Sequence, residues 1–113
     1  MITIDFQSFW FEEDEKKDSC IEFVQNLLGP AENVKILKED ENDPESSFKV
    51  HLNYSKFTLN DFKFYDELMD FAREIEIYVF LFDHNTKSRK AYEYDEDDDW
   101  FEEELFDTTD YQL

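Results

Sequence analysis

Ile75-Glu76-Ile77-Tyr78-Val79-Phe80-Leu81-Phe82 is apolar on both parities, with Ile75, Ile77, Val79 and Leu81 on one side and Tyr78, Phe80 and Phe82 on the other. Only Glu76 interrupts it. A short run of β-branched and aromatic residues without polar alternation suits a central strand covered on both faces. Downstream, Asp83-His84-Asn85-Thr86-Lys87-Ser88 has turn chemistry, and Arg89 to Tyr94 returns as an edge strand with Tyr92 and Tyr94 on one face. Upstream, Thr58-Leu59-Asn60-Asp61 resembles a capping sequence for a helix whose buried stripe is Phe64, Leu68, Phe71 and Ala72, with Tyr65 and Met69 beside it.

The rest of the chain supplies partners for that strand. Ile2, Ile4 and Phe6 alternate with Thr3, Asp5 and Gln7, as do Phe48, Val50, Leu52 and Tyr54 with Lys49, His51 and Asn53. Val34 to Lys38 is a further short strand. After the parity break at Phe9-Trp10-Phe11, Asp14 opens a helix with Cys20, Val24 and Leu27 on its buried side, and Gly29-Pro30 stops it. The order β-α-β-β-α-β-β implies a single α+β domain: an antiparallel sheet with two helices packed on one face, close to a split β-α-β arrangement with an added strand.

Composition bounds the functional classes. The chain of 113 residues has a net charge of -20, yet is 41% hydrophobic with 13 Phe, 6 Tyr and 2 Trp, far too apolar for a disordered acidic chain. Its charge disfavours direct binding to nucleic acid or an anionic membrane and favours a basic protein partner. One cysteine and two distant histidines exclude a Cys/His zinc site. With one glycine there is no phosphate-cradling loop, and no cofactor motif occurs. Asp83-His84 lacks a companion nucleophile, so no catalytic residue is assigned. Asp95 to Asp99 lacks the order and glycine of a calcium loop, so no metal site is assigned either. Without a basic leader or an apolar run of spanning length, the expected location is cytoplasmic.

Charge concentrates after residue 94. From Glu93 to Leu113 there are eleven Asp or Glu and no Lys or Arg. Residues 1–94 read as the globular domain and 95–113 as an acidic tail docked on it. As a helix, the eight carboxylates Asp95, Glu96, Asp97, Asp98, Asp99, Glu102, Glu103 and Glu104 would lie along roughly 15 Å. That is close to duplex DNA, with one charge per ~1.7 Å. Trp100, Phe101 and Leu105 would form an apolar stripe between them. The loop carrying Glu39, Asp40, Glu41 and Asp43 adds a second acidic patch, and Trp10, Tyr92, Tyr94, Trp100 and Phe101 are candidate aromatic anchors.

In size and composition the chain resembles the small acidic DNA-mimic proteins that phages and mobile elements use against restriction, CRISPR or repair enzymes. The resemblance implies an inhibitor that occupies the basic nucleic-acid-binding surface of another protein. An immunity protein for a nuclease toxin is the alternative, with Tyr54, Tyr92 and Tyr94 as anchors on the sheet. An acidic chaperone or adaptor for a basic protein is the third. The partner is a nucleic-acid-binding enzyme or nuclease in the first two, and the protein itself is a monomer or dimer.

Overall fold

The computed structural model describes residues 1–8, 12–43, 45–96, 99–105 and 107–112. Six strands form one antiparallel sheet in the order β3 (Asn33–Lys38), β5 (Phe48–Tyr54), β1 (Ile2–Gln7), β6 (Tyr78–Asp83), β7 (Ser88–Tyr92) and β8 (Phe101–Glu104). A two-stranded ladder joins β2 (Glu12–Glu13) to β4 (Glu45–Ser46). Helix α1 (Asp14–Leu28) links β1 to β3 around β5, and α2 (Tyr65–Ile75) links β5 to β6 around β1. These are two interleaved split β-α-β units, ferredoxin-like in strand order and extended by β7 and β8.

Strand register explains which face the helices cover. Ile4 lies opposite Leu52 and Leu81, and Phe6 opposite Val50 and Val79, so one face is continuously apolar. It packs against Cys20, Val24 and Leu28 of α1 and Leu68 and Ala72 of α2, all buried. Burial drives the Cys20 thiol far above its ordinary range, leaving it a core residue without thiolate character. Gly29 leaves α1 at φ 90°, a conformation that an L side chain resists, and its amide donates to the Gln25 carbonyl at 2.9 Å. The carbonyls of Leu28 and Gly29 accept from Lys56 Nζ at 3.1 Å and the Tyr54 hydroxyl at 2.8 Å.

The central apolar strand is shorter than its apolar run. Ile75 closes α2, Glu76 turns the chain at φ 58°, and β6 starts only at Tyr78. Thr58 and Asp61 do exchange hydrogen bonds in the manner of a capping box, but they close a turn, and α2 begins at Tyr65. The edge also moves. β7, expected as an edge strand over residues 89–94, lies inside the sheet because the tail supplies a strand rather than a helix: β8 pairs with β7, setting Glu103 opposite Arg89 and Glu102 opposite Lys90. Cross-strand opposite charges favour that pairing over a helix crowded with like charges at four-residue spacing.

The second face of the sheet carries Thr3, Asp5, Gln7, His51 and Asn53, all buried, together with Phe80 and Phe82. It is covered by the chain's end. A 3₁₀ turn at Thr109–Tyr111 lays the Tyr111 ring on Phe82, 4.3 Å between centroids, and beside His51 at 5.3 Å. Arg89 covers Phe80 with its guanidinium 4.3 Å from the ring centroid.

Asp83 ties β6 to the segment before α2. Its burial disfavours the charged form, but backbone N–H bonds from Leu59, Asn85 and Thr86 outweigh that and hold the carboxyl below its ordinary range. A depressed folded value means stability that is present above the unfolded value near ~4 and lost as pH falls through the folded one. Asp83→Ala is therefore expected to cost about 2–3 kcal/mol at neutral pH. In urea melts, its deficit against the wild type should shrink as pH drops below about 4; a deficit constant with pH would contradict the assignment.

Candidate functional site

Among the described residues, the tail carboxylates form no single ladder. On β8 they alternate faces, so Glu102 and Glu104 lie on the helix side while Glu103 turns to the other. There Arg89 Nε donates to Glu103 Oε2 at 2.8 Å, with Nη2 on the same oxygen. Asp95 accepts from the Tyr78 hydroxyl in the turn that also holds Glu96, and Asp99 accepts from the Trp100 amide at 2.8 Å. Asp97, Asp98 and Trp10 lie outside the described residues, as does Phe106. Negative potential is nevertheless concentrated at this turn: burial, then Glu96, Glu103 and Asp95, push the Glu93 carboxyl above its ordinary range.

The aromatic candidates mostly serve the fold. Tyr92 and Tyr54 are 0% and 1% exposed, which removes them as anchors for a partner. Trp100 clasps the tail to the start of α2, its indole N–H donating to the Tyr65 carbonyl at 3.2 Å and its ring lying edge-on to Tyr65 at 5.3 Å. Tyr94 is half-buried against Tyr78 at 5.5 Å. Phe101, half-buried opposite Ala91, remains partly open.

The loop at Glu39, Asp40, Glu41 and Asp43 does not add to the tail. It leaves β3, at the opposite edge of the six-stranded sheet from β8, about 24 Å away at ~4.8 Å per strand. Its acids shape a turn: Glu39 accepts from Ser47 at 2.8 Å, Asp40 from the Asn42 amide at 3.0 Å and Asp43 from the Glu45 amide at 2.9 Å.

What the fold does bring together is an acidic face on the helix side. Glu15, Asp18 and Glu22 are exposed along α1, and Asp66, Glu67, Asp70 and Glu74 along α2, with Glu102 and Glu104 on the same side of β8. Of these, Asp70 meets Arg73 at 3.5 Å and Glu102 meets Lys90 at 3.9 Å; the others have no cationic partner among the described residues. The four α2 carboxylates span roughly 12 Å of axis, one per ~4 Å, against ~3.4 Å per phosphate along a DNA strand. In the sequence the apolar stripes mask these rows, whose signal is the four-residue spacing of Asp66, Asp70 and Glu74 on the opposite side of the wheel.

A second arrangement, on the other sheet face, was not anticipated from the sequence. Arg89 Nη1 donates to the Tyr111 hydroxyl at 3.0 Å, Tyr111 donates to Asp5 Oδ2 at 2.6 Å, Gln7 donates to the same oxygen at 2.7 Å, and Asp5 Oδ1 lies 3.3 Å from His51 Nε2. Burial and the Asp5 carboxylate drive the Tyr111 hydroxyl well above its ordinary range, so it remains a proton donor. Asp5 is 0% and His51 3% exposed, and the ring of Tyr111 closes over them. Tyr111 itself fastens this segment to the sheet, through Arg89 on β7 and Asp5 on β1.

Asp83 and His84 face different partners. Asp83 holds backbone amides, whereas His84 Nε2 meets Thr3 Oγ1 at 2.6 Å. Among the described residues no cluster of His, Cys, Asp and Glu suits a metal ion, and no helix is long and apolar enough to cross a membrane. Comparison with protein-family models, with curated proteins and with solved structures finds no match.

Proposed function

We propose that this protein is a small acidic inhibitor whose helix-side face occupies the positively charged nucleic-acid-binding surface of another protein. The observation that supports it most is the two exposed carboxylate rows on α1 and α2, which have few cationic partners among the described residues and on α2 average one charge per ~4 Å of axis, near the phosphate interval of a DNA strand. Rigidity matters because mimicry requires charges fixed in place before contact, and both helices are pinned to one core through Val24, Leu28, Leu68 and Ala72. The β8 carboxylates Glu102 and Glu104 widen the face, and the turn around Glu93 deepens the long-range field that speeds encounter. The reading is tested by displacing the bound partner with a short duplex at fixed ionic strength.

An immunity-type inhibitor that binds a nuclease away from its DNA site is the second reading. It is favoured by the apolar groove between the helices, which gives the acidic face a short-range anchor that phosphate imitation does not need.

A further inference from the structure

Between α1 and α2 lies an open groove of about 370 Å³ lined by Phe23, Leu27 and Phe71 and rimmed by Glu67, Asp70 and Glu74. We infer that this groove takes the apolar side chains of a basic amphipathic helix of the partner, so that leucine-like residues enter the floor while flanking arginines or lysines meet the rim. The inference rests on the reading of the helix side as the landing surface for a basic protein.

Its floor is preformed. Phe23 and Phe71 stack at 4.2 Å with their planes 2° apart, and Phe71 in turn meets the core ring Phe6 edge-on at 6.1 Å. A cavity of ~150 Å³ already admits a benzene-sized group, so the space here suits one or two side chains without rearrangement.

Charge complementarity selects the occupant. Glu67 and Glu74 are exposed with no cationic partner among the described residues, and Asp70 is engaged only by the exposed Arg73. An apolar segment bordered by acids would bring like charges together at the rim. A second copy of this chain would set one net charge of -20 against another. The chain's own tail is held elsewhere, with Trp100 on Tyr65 and Tyr111 beneath the sheet. A helix with apolar anchors about one turn apart and cations beside them satisfies floor and rim together.

The test uses the intact protein and two synthetic helical peptides of about 16 residues with identical arginine content. One carries leucine, the other glutamine, at three positions spaced for one helix face. Fluorescence anisotropy at physiological ionic strength should show the leucine peptide binding at least about tenfold more tightly. Leu27→Gln should reduce that ratio while far-UV circular dichroism stays unchanged. The exposed Glu67→Gln/Glu74→Gln pair, which cannot disturb the core, should weaken both peptides alike. Equal binding of the two peptides to the wild type would overturn the groove while leaving the charge-based reading of the face standing. Binding of neither peptide, even at low salt, would overturn both.

Discussion

Truncation after Asp110 is expected to destabilise the protein by about 3–5 kcal/mol, the scale of losing a buried aromatic residue together with its charged hydrogen bonds. Tyr111 is 5% exposed, stacks on Phe82, and joins Arg89 on β7 to Asp5 on β1. Without it, Asp5 keeps Gln7 and His51 but loses its 2.6 Å donor, while Phe82 opens to water. Tyr111→Phe separates the two contributions: the ring stays, the hydroxyl goes, and about 1.5–3 kcal/mol should be lost. Urea denaturation measures both through the midpoint at constant slope. A truncation cost below about 1 kcal/mol would mean that the chain's end does not fasten the sheet's second face. Because the acidic face lies on the opposite side, association with a basic partner should survive truncation wherever the protein remains folded.

Much of this architecture was legible from apolar periodicity. The alternation at Ile2–Phe6 and Phe48–Tyr54, the two-sided run into Phe82, and the stripes through Val24 and Leu68 all answer to burial, which a local pattern records. Two boundaries slipped because the deciding interactions are not local. Thr58 and Asp61 carry capping chemistry yet close a turn, since the Leu59 amide between them is held by Asp83 of β6, and α2 starts only at Tyr65. The tail's helical spacing of Phe101 and Leu105 was overridden by pairing with Arg89 and Lys90, a contact between segments that no window on the tail contains. Tyr111, at the last turn of an acidic segment, gave no local sign that its partner is Asp5. The acidic tail drew attention by density, whereas the helix rows are diluted by the core residues that alternate with them.

Neutralising those rows should slow association steeply and leave the fold intact. Asp18→Asn, Glu22→Gln, Glu67→Gln and Glu74→Gln together lower the formal charge from -20 to -16, as do Glu39→Gln, Asp40→Asn, Glu41→Gln and Asp43→Asn in the loop. A nonspecific charge effect would treat the two variants alike. If the helix side is the contact face, the first should reduce the association rate by about 10- to 100-fold at low salt, and the second by less than about threefold. Stability should rise slightly in the first, because Asp18 and Glu22 repel one another four residues apart, a pair worth roughly 0.2–0.5 kcal/mol. The difference between the variants should narrow as salt shortens the Debye length from ~30 to ~8 Å. Equal slowing by both would place the contact outside the helix layer.

The central claim is occupation of a nucleic-acid-binding surface, and competition tests it most directly. The protein, immobilised with a basic nucleic-acid-binding partner bound, is challenged with a short DNA duplex while ionic strength is held constant, so that release cannot come from screening. Mimicry predicts that the duplex displaces the partner in proportion to its affinity for DNA, and that the partner leaves the helix-row variant at lower duplex concentration than the loop variant. A partner that stays bound while duplex joins the complex would contradict it, because the face would then lie away from the DNA site.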